Sequence, residues 1–214
     1  MAARFPDRRE AGRLLAVRLE AEGWKERSPV VLALPRGGVE VAAPIAEALA
    51  APLDVLVVRK IGAPGQPEFA VGAVGAEGAA IANEDVLRRL RITPERWSDM
   101  VDAERTEVER RIRRYRGDEP PVAVEGRDVI VVDDGVATGA TATVALRVLR
   151  ARHPRSITVA VPVAPPSAVN ALAEEADEVV VLNQPIDFMA VGQWYDHFDQ
   201  TSDERVIELL DASR

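Results

Sequence analysis

The 214-residue chain contains no cysteine and only two histidines, and aromatic residues make up 4% of it. Without cysteine there is no disulfide framework, no thiol nucleophile and no thiolate metal site. Neither histidine has a neighbour in the sequence that would make it a catalytic base. No apolar run approaches the roughly eighteen residues of a membrane span, and the first residues lack the apolar segment of a signal peptide. We therefore expect a cytoplasmic protein with no membrane partner.

The charge balance is acidic, with a formal net charge of −8. This argues against nucleic acid as a partner, although a small anion could still bind where arginines and backbone N–H groups are concentrated. Hydrophobic residues make up 47% of the chain and charged residues 29%. This composition and this length predict a single globular domain over residues 1–214.

The segment from Asp128 to Val144 is the most informative part of the chain. Val129–Val132 is a β-branched run typical of a buried central strand, and two carboxylates, Asp133 and Asp134, follow it directly. The next residues supply two glycines, two small alanines and two hydroxyls along with one valine: Gly135, Val136, Ala137, Thr138, Gly139, Ala140 and Thr141. A loop of this kind at the start of a helix can surround a phosphate with backbone N–H groups. Its spacing matches neither a P-loop nor a dinucleotide fingerprint.

Two other loops follow predicted strands. The strand at residues 30–34 leads into Pro35-Arg36-Gly37-Gly38, where adjacent glycines permit close approach of a ligand and Arg36 offers a planar charged fork. The strand at residues 53–58 ends in Arg59-Lys60. The glycines and prolines of residues 61–75 predict a mobile excursion, of the kind that forms a lid, rather than a packed element.

The remaining pattern predicts the fold class. Helices are expected at residues 7–26, 39–50, 83–91, 93–116, 141–152 and 167–176, and further strands at 157–161 and 178–182. This alternation predicts an α/β fold, a doubly wound and mainly parallel sheet flanked by helices. A helical insert occupies about residues 83–118, and its arginines alternate with glutamates, which indicates ion pairs on a solvated face. The insert could also lie at a homodimer interface.

The strand, the acid pair and the Thr-Gly-x-Thr loop together resemble the phosphoribosyl diphosphate (PRPP) motif of type I phosphoribosyltransferases. The resemblance implies that Gly135–Thr141 holds the 5-phosphate of PRPP, while Asp133 and Asp134 bind the ribose hydroxyls and help to place Mg²⁺. It identifies Pro35–Gly38 as the pyrophosphate loop, in which a cis non-proline peptide is typical, and residues 61–75 as the flexible loop that closes the site.

The expected activity is transfer of the phosphoribosyl group from PRPP to a small nitrogenous acceptor with release of pyrophosphate. Arg36, Arg59 and Lys60 would contact PRPP, and Arg36 and Lys60 would neutralise the leaving group. A PRPP-sensing regulatory protein without turnover is the alternative. A generic flavodoxin-like nucleotide-binding domain would leave the acid pair unexplained. The residues after Lys60 differ from those of orotate-specific members, and Ala137 stands where hypoxanthine- and guanine-specific members carry an aspartate.

The C-terminal tail, about residues 183–214, concentrates the aromatic residues Phe188, Trp194, Tyr195 and Phe198. The favoured interpretation is a small satellite core, because aromatic clusters usually pack. The functional alternative is a hood in which Trp194 or Tyr195 stacks on the acceptor. Thr201 and Glu204 predict a capping box for a last helix.

Overall fold

The protein is described by a computed structural model that covers residues 4–76 and 79–213, apart from the side chains of residues 67 and 68. The strands are β1 (Val30–Ala33), β2 (Leu53–Val55), β3 (Val58–Ala63), β4 (Gln66–Gly75), β5 (Ala80–Ala82), β6 (Asp128–Val132), β7 (Ser156–Val163) and β8 (Glu178–Asn183). The α-helices are α1 (Arg8–Ala21), α2 (Gly37–Leu49), α3 (Glu84–Arg89), α4 (Pro94–Arg116), α5 (Ala140–Arg150), α6 (Pro166–Ala173) and α7 (Asp203–Ala212).

The main sheet has five strands in the order β2-β1-β6-β7-β8, and every neighbouring pair is parallel. Side chains alternate between its two faces, so Val31 and Ile130 pack on one side while Leu32 and Val131 pack on the other. Helices α1 and α2 cover the first face, and α5 and α6 cover the second. The doubly wound, mainly parallel fold predicted from the sequence is confirmed.

The chain runs outward from the middle of this sheet in two directions. From β1 it moves to the edge strand β2, and from β6 it moves through β7 to β8. The point between β1 and β6 is therefore the topological switch point, where the loops after the two strands diverge and leave a crevice. The register pairs Ala33 with Val132, so the two loops begin side by side.

The strands β3, β4 and β5 form a second, antiparallel sheet in that order. Ile61, Val71 and Val74 are buried in the same core as Val101 and Val108 of α4. The prediction of an unpacked excursion is therefore wrong: alternate apolar residues in this segment give the hairpin a buried face. Gly62, Gly72 and Gly75 lie within the strands, and Gly65 lies in the turn between β3 and β4. The predicted strand at residues 53–58 is in fact two elements, β2 and the start of β3.

Several predicted boundaries move in the structure. Helix α1 is capped by Asp7 as expected but ends at Ala21. The last helix is capped by the Ser202 side chain, which accepts from the Arg205 N–H, so the prediction of Thr201 as its cap is wrong. Thr201 instead donates through its hydroxyl to Glu40 of α2. None of the helices in the described residues is long and apolar enough to cross a membrane.

Candidate active site at the switch point

The two loops predicted to carry chemistry meet at the switch point. A Cβ atom on Gly37 would lie 2.0 Å from Oδ2 of Asp134, and one on Gly38 would lie 2.8 Å from the carbonyl oxygen of Val132. Only glycine therefore allows this approach, which is the physical reason for the Gly-Gly pair. The peptide bond between Pro35 and Arg36 is cis, as the resemblance implied.

The acid pair lies at the end of β6 and is partly buried. The Asp133 carboxylate accepts a hydrogen bond of 2.8 Å from the Asp134 N–H. Burial and the neighbouring Asp134 carboxylate raise the pKa of Asp133 well above its usual range. Burial also raises the pKa of Asp134, against the opposite effect of an ion pair with Arg8. The site therefore holds more negative charge than its own side chains neutralise, and a bound cation would relieve that excess.

Arg8 is a site residue that the sequence pattern did not indicate, because it lies in the predicted helix at residues 7–26 and outside the loops that follow the strands. Its Nε donates to Oδ2 of Asp134 at 2.7 Å, and its terminal nitrogen donates to the carbonyl oxygen of Asp199 at 2.7 Å. Its guanidinium also lies 3.8 Å from the centre of the Phe198 ring. The available signal was its position: Arg8 shares the buried face of α1 with Ala11 and Leu15, where an unpaired charge is costly.

Residues 135–139 form the loop between β6 and α5, and Ala140 and Thr141 begin the helix. Gly139 has a φ of +81°, a left-handed conformation that glycine adopts without strain, and it caps α5. The N–H of Val136 donates to the carbonyl oxygen of Val163 at 2.9 Å, which ties the loop to β7. Ala137, Thr138 and Thr141 are exposed. The N-terminal end of α5 thus faces open space, as a phosphate-binding loop requires.

The structure separates Arg59 from Lys60. Both lie within β3, so their side chains point to opposite faces of the hairpin. Arg59 forms an ion pair with Glu104 of α4, whereas Lys60 is exposed. Arg59 is therefore held by the helical insert, and Lys60 is the member of the pair that is available to a ligand.

Trp194 and Tyr195 are packed rather than open. Trp194 is 8% exposed and Tyr195 is 1% exposed, in a satellite core with Phe5 and Val163. The Tyr195 ring stacks on Phe198 with centroids 5.0 Å apart, and its hydroxyl donates to the carbonyl oxygen of Asp134. This geometry agrees with the packing interpretation and leaves neither ring a free face for an acceptor. The tail instead supports the acid pair through the hydrogen bond from Tyr195 to the backbone of Asp134.

The tail residues that precede Trp194 include apolar side chains, some of which are exposed to solvent. Val191 packs against Gly135, where a Cβ atom would lie 2.6 Å from its methyl group. Ile186 and Met189, in the segment before it, are 93% and 88% exposed. Two large apolar side chains are thus exposed to solvent in the tail segment just before Val191, the residue that packs on Gly135.

The family model for the phosphoribosyl transferase domain matches residues 8–195. A Mycobacterium tuberculosis H37Rv protein named "Putative phosphoribosyl transferase" is 46% identical over 209 residues, which are 98% of this chain and 47% of that protein. The chain therefore spans about half the length of the curated relatives it matches.

A solved structure extends the likeness to three dimensions. The crystal structure of TT1426 from Thermus thermophilus is 48% identical, with a TM-score of 0.88 over 97% of each chain. Both the family model and the relatives cover the sheet and the two loops at its switch point. The chain belongs to the phosphoribosyl transferase domain family.

Proposed function

We propose that this chain is a magnesium- and PRPP-dependent phosphoribosyltransferase. The observation that carries the proposal is the electrostatic state of the acid pair: Asp133 and Asp134 lie together at the switch point, with raised pKa values and Arg8 as their one charged partner in the described residues. Ribose hydroxyls and a divalent cation are the groups that such a pair is suited to bind.

The two carboxylates of the acid pair are ligands of the kind that magnesium usually takes from a protein. The described residues contain no cluster of three or more acidic or histidine side chains able to enclose a metal ion. Magnesium usually binds through one or two carboxylates and completes its shell with water and substrate phosphates. Asp133 and Asp134 match that pattern. When bound, the ion supplies positive charge to the pyrophosphate oxygens as the sugar–oxygen bond breaks.

The chain's own groups account for the rest of the reaction. Backbone N–H groups of residues 135–141, other than that of Val136, which donates to Val163, bind the 5-phosphate and fix the ribose relative to the acid pair. A nitrogen of the acceptor attacks the anomeric carbon, and the bond to pyrophosphate breaks with its electron pair leaving on the pyrophosphate oxygen. Arg36 and Lys60 stabilise that developing charge, and the β3–β4 hairpin excludes water from the activated sugar.

The loop after β6, which contains Ala137, limits which acceptors can react efficiently. Ala137 is exposed and offers no group that can take a proton. We expect hypoxanthine and guanine to be poor acceptors, since a 6-oxopurine would have to transfer its proton to another group. A panel of purine and pyrimidine bases with saturating PRPP tests this, and efficient conversion of either 6-oxopurine would refute it.

Calorimetric titration with PRPP tests the proposal as a whole. We expect binding with Mg²⁺, loss of binding when EDTA removes the metal, and restoration when Mg²⁺ is returned. The Asp133→Asn, Asp134→Asn double variant should lose both PRPP affinity and turnover while remaining folded. Wild-type affinity in that variant would refute the proposal. Tight PRPP binding without pyrophosphate release from any acceptor would favour the sensor instead.

A further inference from the structure

Strand β8 ends the main sheet on one side. It pairs with β7, and no strand of the described residues lies beyond it. The carbonyl oxygen of Asn183 accepts from the N–H of Ala164, which directs the backbone groups of odd-numbered residues in β8 towards β7. The N–H and C=O groups of Glu178, Val180 and Leu182 therefore point away from the sheet. We call this outward-facing row the β8 edge.

The opposite edge of the sheet is short and in contact with another part of the chain. Strand β2 has three residues, and Asp54 within it contacts the segment that follows α4. Its carboxylate forms a buried ion pair with Arg116 at 2.8 Å and accepts from the N–H of Val122 at 3.1 Å. Strand β8 has six residues and contains neither proline nor lysine, which commonly protect an exposed edge. An apolar edge of this kind is a template for pairing with another chain.

Helix α1 carries two exposed apolar residues beside this edge. Leu14 is 45% exposed and Val17 is 64% exposed. Gly12 packs against the carbonyl group of Val41 in α2, and at 3.6 residues per turn Leu14 and Val17 lie about 160° and about 140° around the helix from it. Helix α2 contacts β1, β2 and β6, whereas α1 contacts β7 and β8. The side of α1 that faces away from α2 therefore looks outward beyond β8.

The β8 edge is complementary to a second copy of itself. In an antiparallel pair with a two-fold axis through Val180, this residue faces its counterpart and exchanges two backbone hydrogen bonds with it. Glu178 of one copy then faces Leu182 of the other, so like charges do not meet. The axis is perpendicular to the sheet, and α1 of both copies therefore lies on the same face, with the two helices antiparallel.

The charges of α1 suit the same arrangement. Ala11 packs in one small cluster with Leu182, so Leu14, a turn further along the helix, lies near the middle of β8. Two antiparallel copies of α1 that cross at Leu14 bring Glu10 of one copy to Arg18 of the other, because these residues lie four positions before and after it in one row. Each also forms an exposed ion pair within its own helix, which contributes little. Apolar contact at the axis with opposite charges on either side favours a second copy of this chain as the partner.

We propose that the β8 edge and the outer side of α1 form the interface of a two-fold symmetric homodimer, in which the five-stranded sheets of two copies become continuous. The carboxyl edges of the two sheets point in opposite directions, so each acid pair stays in a site built by its own chain. This interface is separate from the helical insert. Dimerisation through it requires neither PRPP nor turnover and so goes beyond the function proposed above.

Sedimentation velocity over a range of protein concentrations tests the interface. We expect the wild type to reach twice the 23.2 kDa mass of one chain. The Leu14→Glu, Val17→Glu variant places like charges at the axis and should raise the dimer dissociation constant by about tenfold or more. Leu90→Glu is the matched control, because Leu90 is also 45% exposed but lies at the end of α3 in the helical insert. Its dissociation constant should stay within about twofold of wild type.

Amide hydrogen exchange measured by NMR tests the strand pairing itself. In the wild-type dimer, the outward N–H groups of Val180 and Leu182 should be protected, as should the inward N–H groups of Val179 and Val181 that face β7. In the Leu14, Val17 double variant the outward pair should exchange about tenfold or more faster, while the inward pair keeps its protection. A general loss of stability would accelerate both pairs, so the difference between them reports the interface.

Circular dichroism and thermal melting confirm that each variant is folded, and Val17→Glu alone replaces the double variant if the latter is unstable. A wild type that stays monomeric at ~100 μM would overturn the proposal. So would a folded double variant that dimerises like the wild type, or outward amides that exchange equally fast in both proteins. Dimerisation lost in Leu90→Glu but kept in the double variant would assign the interface to the helical insert and would overturn it as well.

Discussion

At the scale of single residues, Asp133 shows how a binding group can oppose stability. Its carboxyl group is crowded by burial and by Asp134, so the folded protein disfavours its ionised form. A carboxyl whose pKa is raised by folding costs stability once the pH exceeds its unfolded pKa of about 4. The acid pair is thus maintained at the expense of stability, which is common for groups that serve a ligand.

We expect Asp133→Asn to stabilise the ligand-free protein at pH 7 by about 1 kcal/mol. The physical reason is the loss of a buried negative charge beside Asp134. The advantage of the variant should shrink as the pH falls towards 4, because the wild-type carboxyl becomes protonated there. Thermal unfolding between pH 4 and 8 measures the difference, and a variant less stable than wild type throughout would contradict the expectation.

Arg8, in contrast to Asp133, is expected to stabilise the folded protein, because its positive charge compensates the negative charge of Asp134. Arg8→Ala leaves Asp134 without its counter-charge and removes a guanidinium that is 9% exposed, so we expect a loss of ~3 kcal/mol in unfolding free energy. Denaturant titration measures it. Arg13→Ala on the same helix is the control, because Arg13 is 56% exposed and its ion pair with Glu10 contributes little.

A double-mutant cycle with Asp134→Asn separates charge compensation from packing. If Arg8 acts through Asp134, its replacement should cost much less once Asp134 is neutral. Equal costs in both backgrounds would assign the effect of Arg8 to its contacts with Phe198 and the Asp199 carbonyl group.

At the scale of elements, the β3–β4 hairpin is a packed structure with one face for α4 and another for α5. Arg59 and Ile61 face α4, whereas Gly75 packs against Val148 of α5. A hairpin packed on both faces holds Lys60 in a fixed orientation on its strand. The segment is therefore not the irregular loop that its composition predicts.

We expect Lys60→Ala to lower the rate of pyrophosphate release by ~10²-fold and to change PRPP affinity much less. The reason is that the lysine charge is needed most when the leaving group develops its own charge. Single-turnover assays and PRPP titration together give the two quantities. Arg59→Gln is the matched control on the same strand: it should weaken the contact with α4 while preserving most of the rate, and equal rate losses in the two variants would refute the division of roles.

The helical insert and the C-terminal tail are far apart in the sequence but contact each other in the fold. Arg114 and Tyr115 of α4 both contact Asp203 at the start of α7. An acidic residue in the first turn of α7 is favoured by the helix dipole, and it places the insert against the tail beside the loop after β1.

At the scale of the whole molecule, acid sensitivity should reside largely in carboxylates that fix the sheet. Asp128 at the start of β6 accepts hydrogen bonds from Arg155 and from Ser156 at the start of β7. The Arg155 hydrogen bonds lower the pKa of Asp128 to about 2. A carboxyl with a lowered pKa contributes stability above its unfolded pKa of about 4, and that contribution is lost as the pH falls towards about 2.

We expect Asp128→Asn to lower the melting temperature by a few degrees at pH 7. The gap between variant and wild type should close between pH 4 and pH 2. Glu125→Gln, at an exposed carboxylate shortly before the strand, is the control and should not change the melting temperature at either pH. A gap that persists at pH 2 would show that the asparagine disturbs packing and that charge is not the cause.

The sequence by itself determined the local parts of this protein. The β-branched run of β6, the Gly-Gly pair after β1 and the Thr-Gly-x-Thr loop each act through backbone geometry within a few residues, so their spacing was enough to place them at strand ends. Parallel strands bring their carboxyl ends to one edge of the sheet. The pattern therefore also predicted that Arg36 and the acid pair lie at the same edge.

The tertiary structure alone decided which distant side chains meet. Arg8 contacts Asp134 across 126 positions of the chain, and Arg114 contacts Asp203 across 89. Such contacts depend on how helices are oriented on the sheet and on which strand face each residue occupies, and a helical or alternating pattern fixes neither. The same reason separates Arg59 from Lys60 and buries Tyr195: neighbours in sequence point in different directions once the surrounding elements are packed.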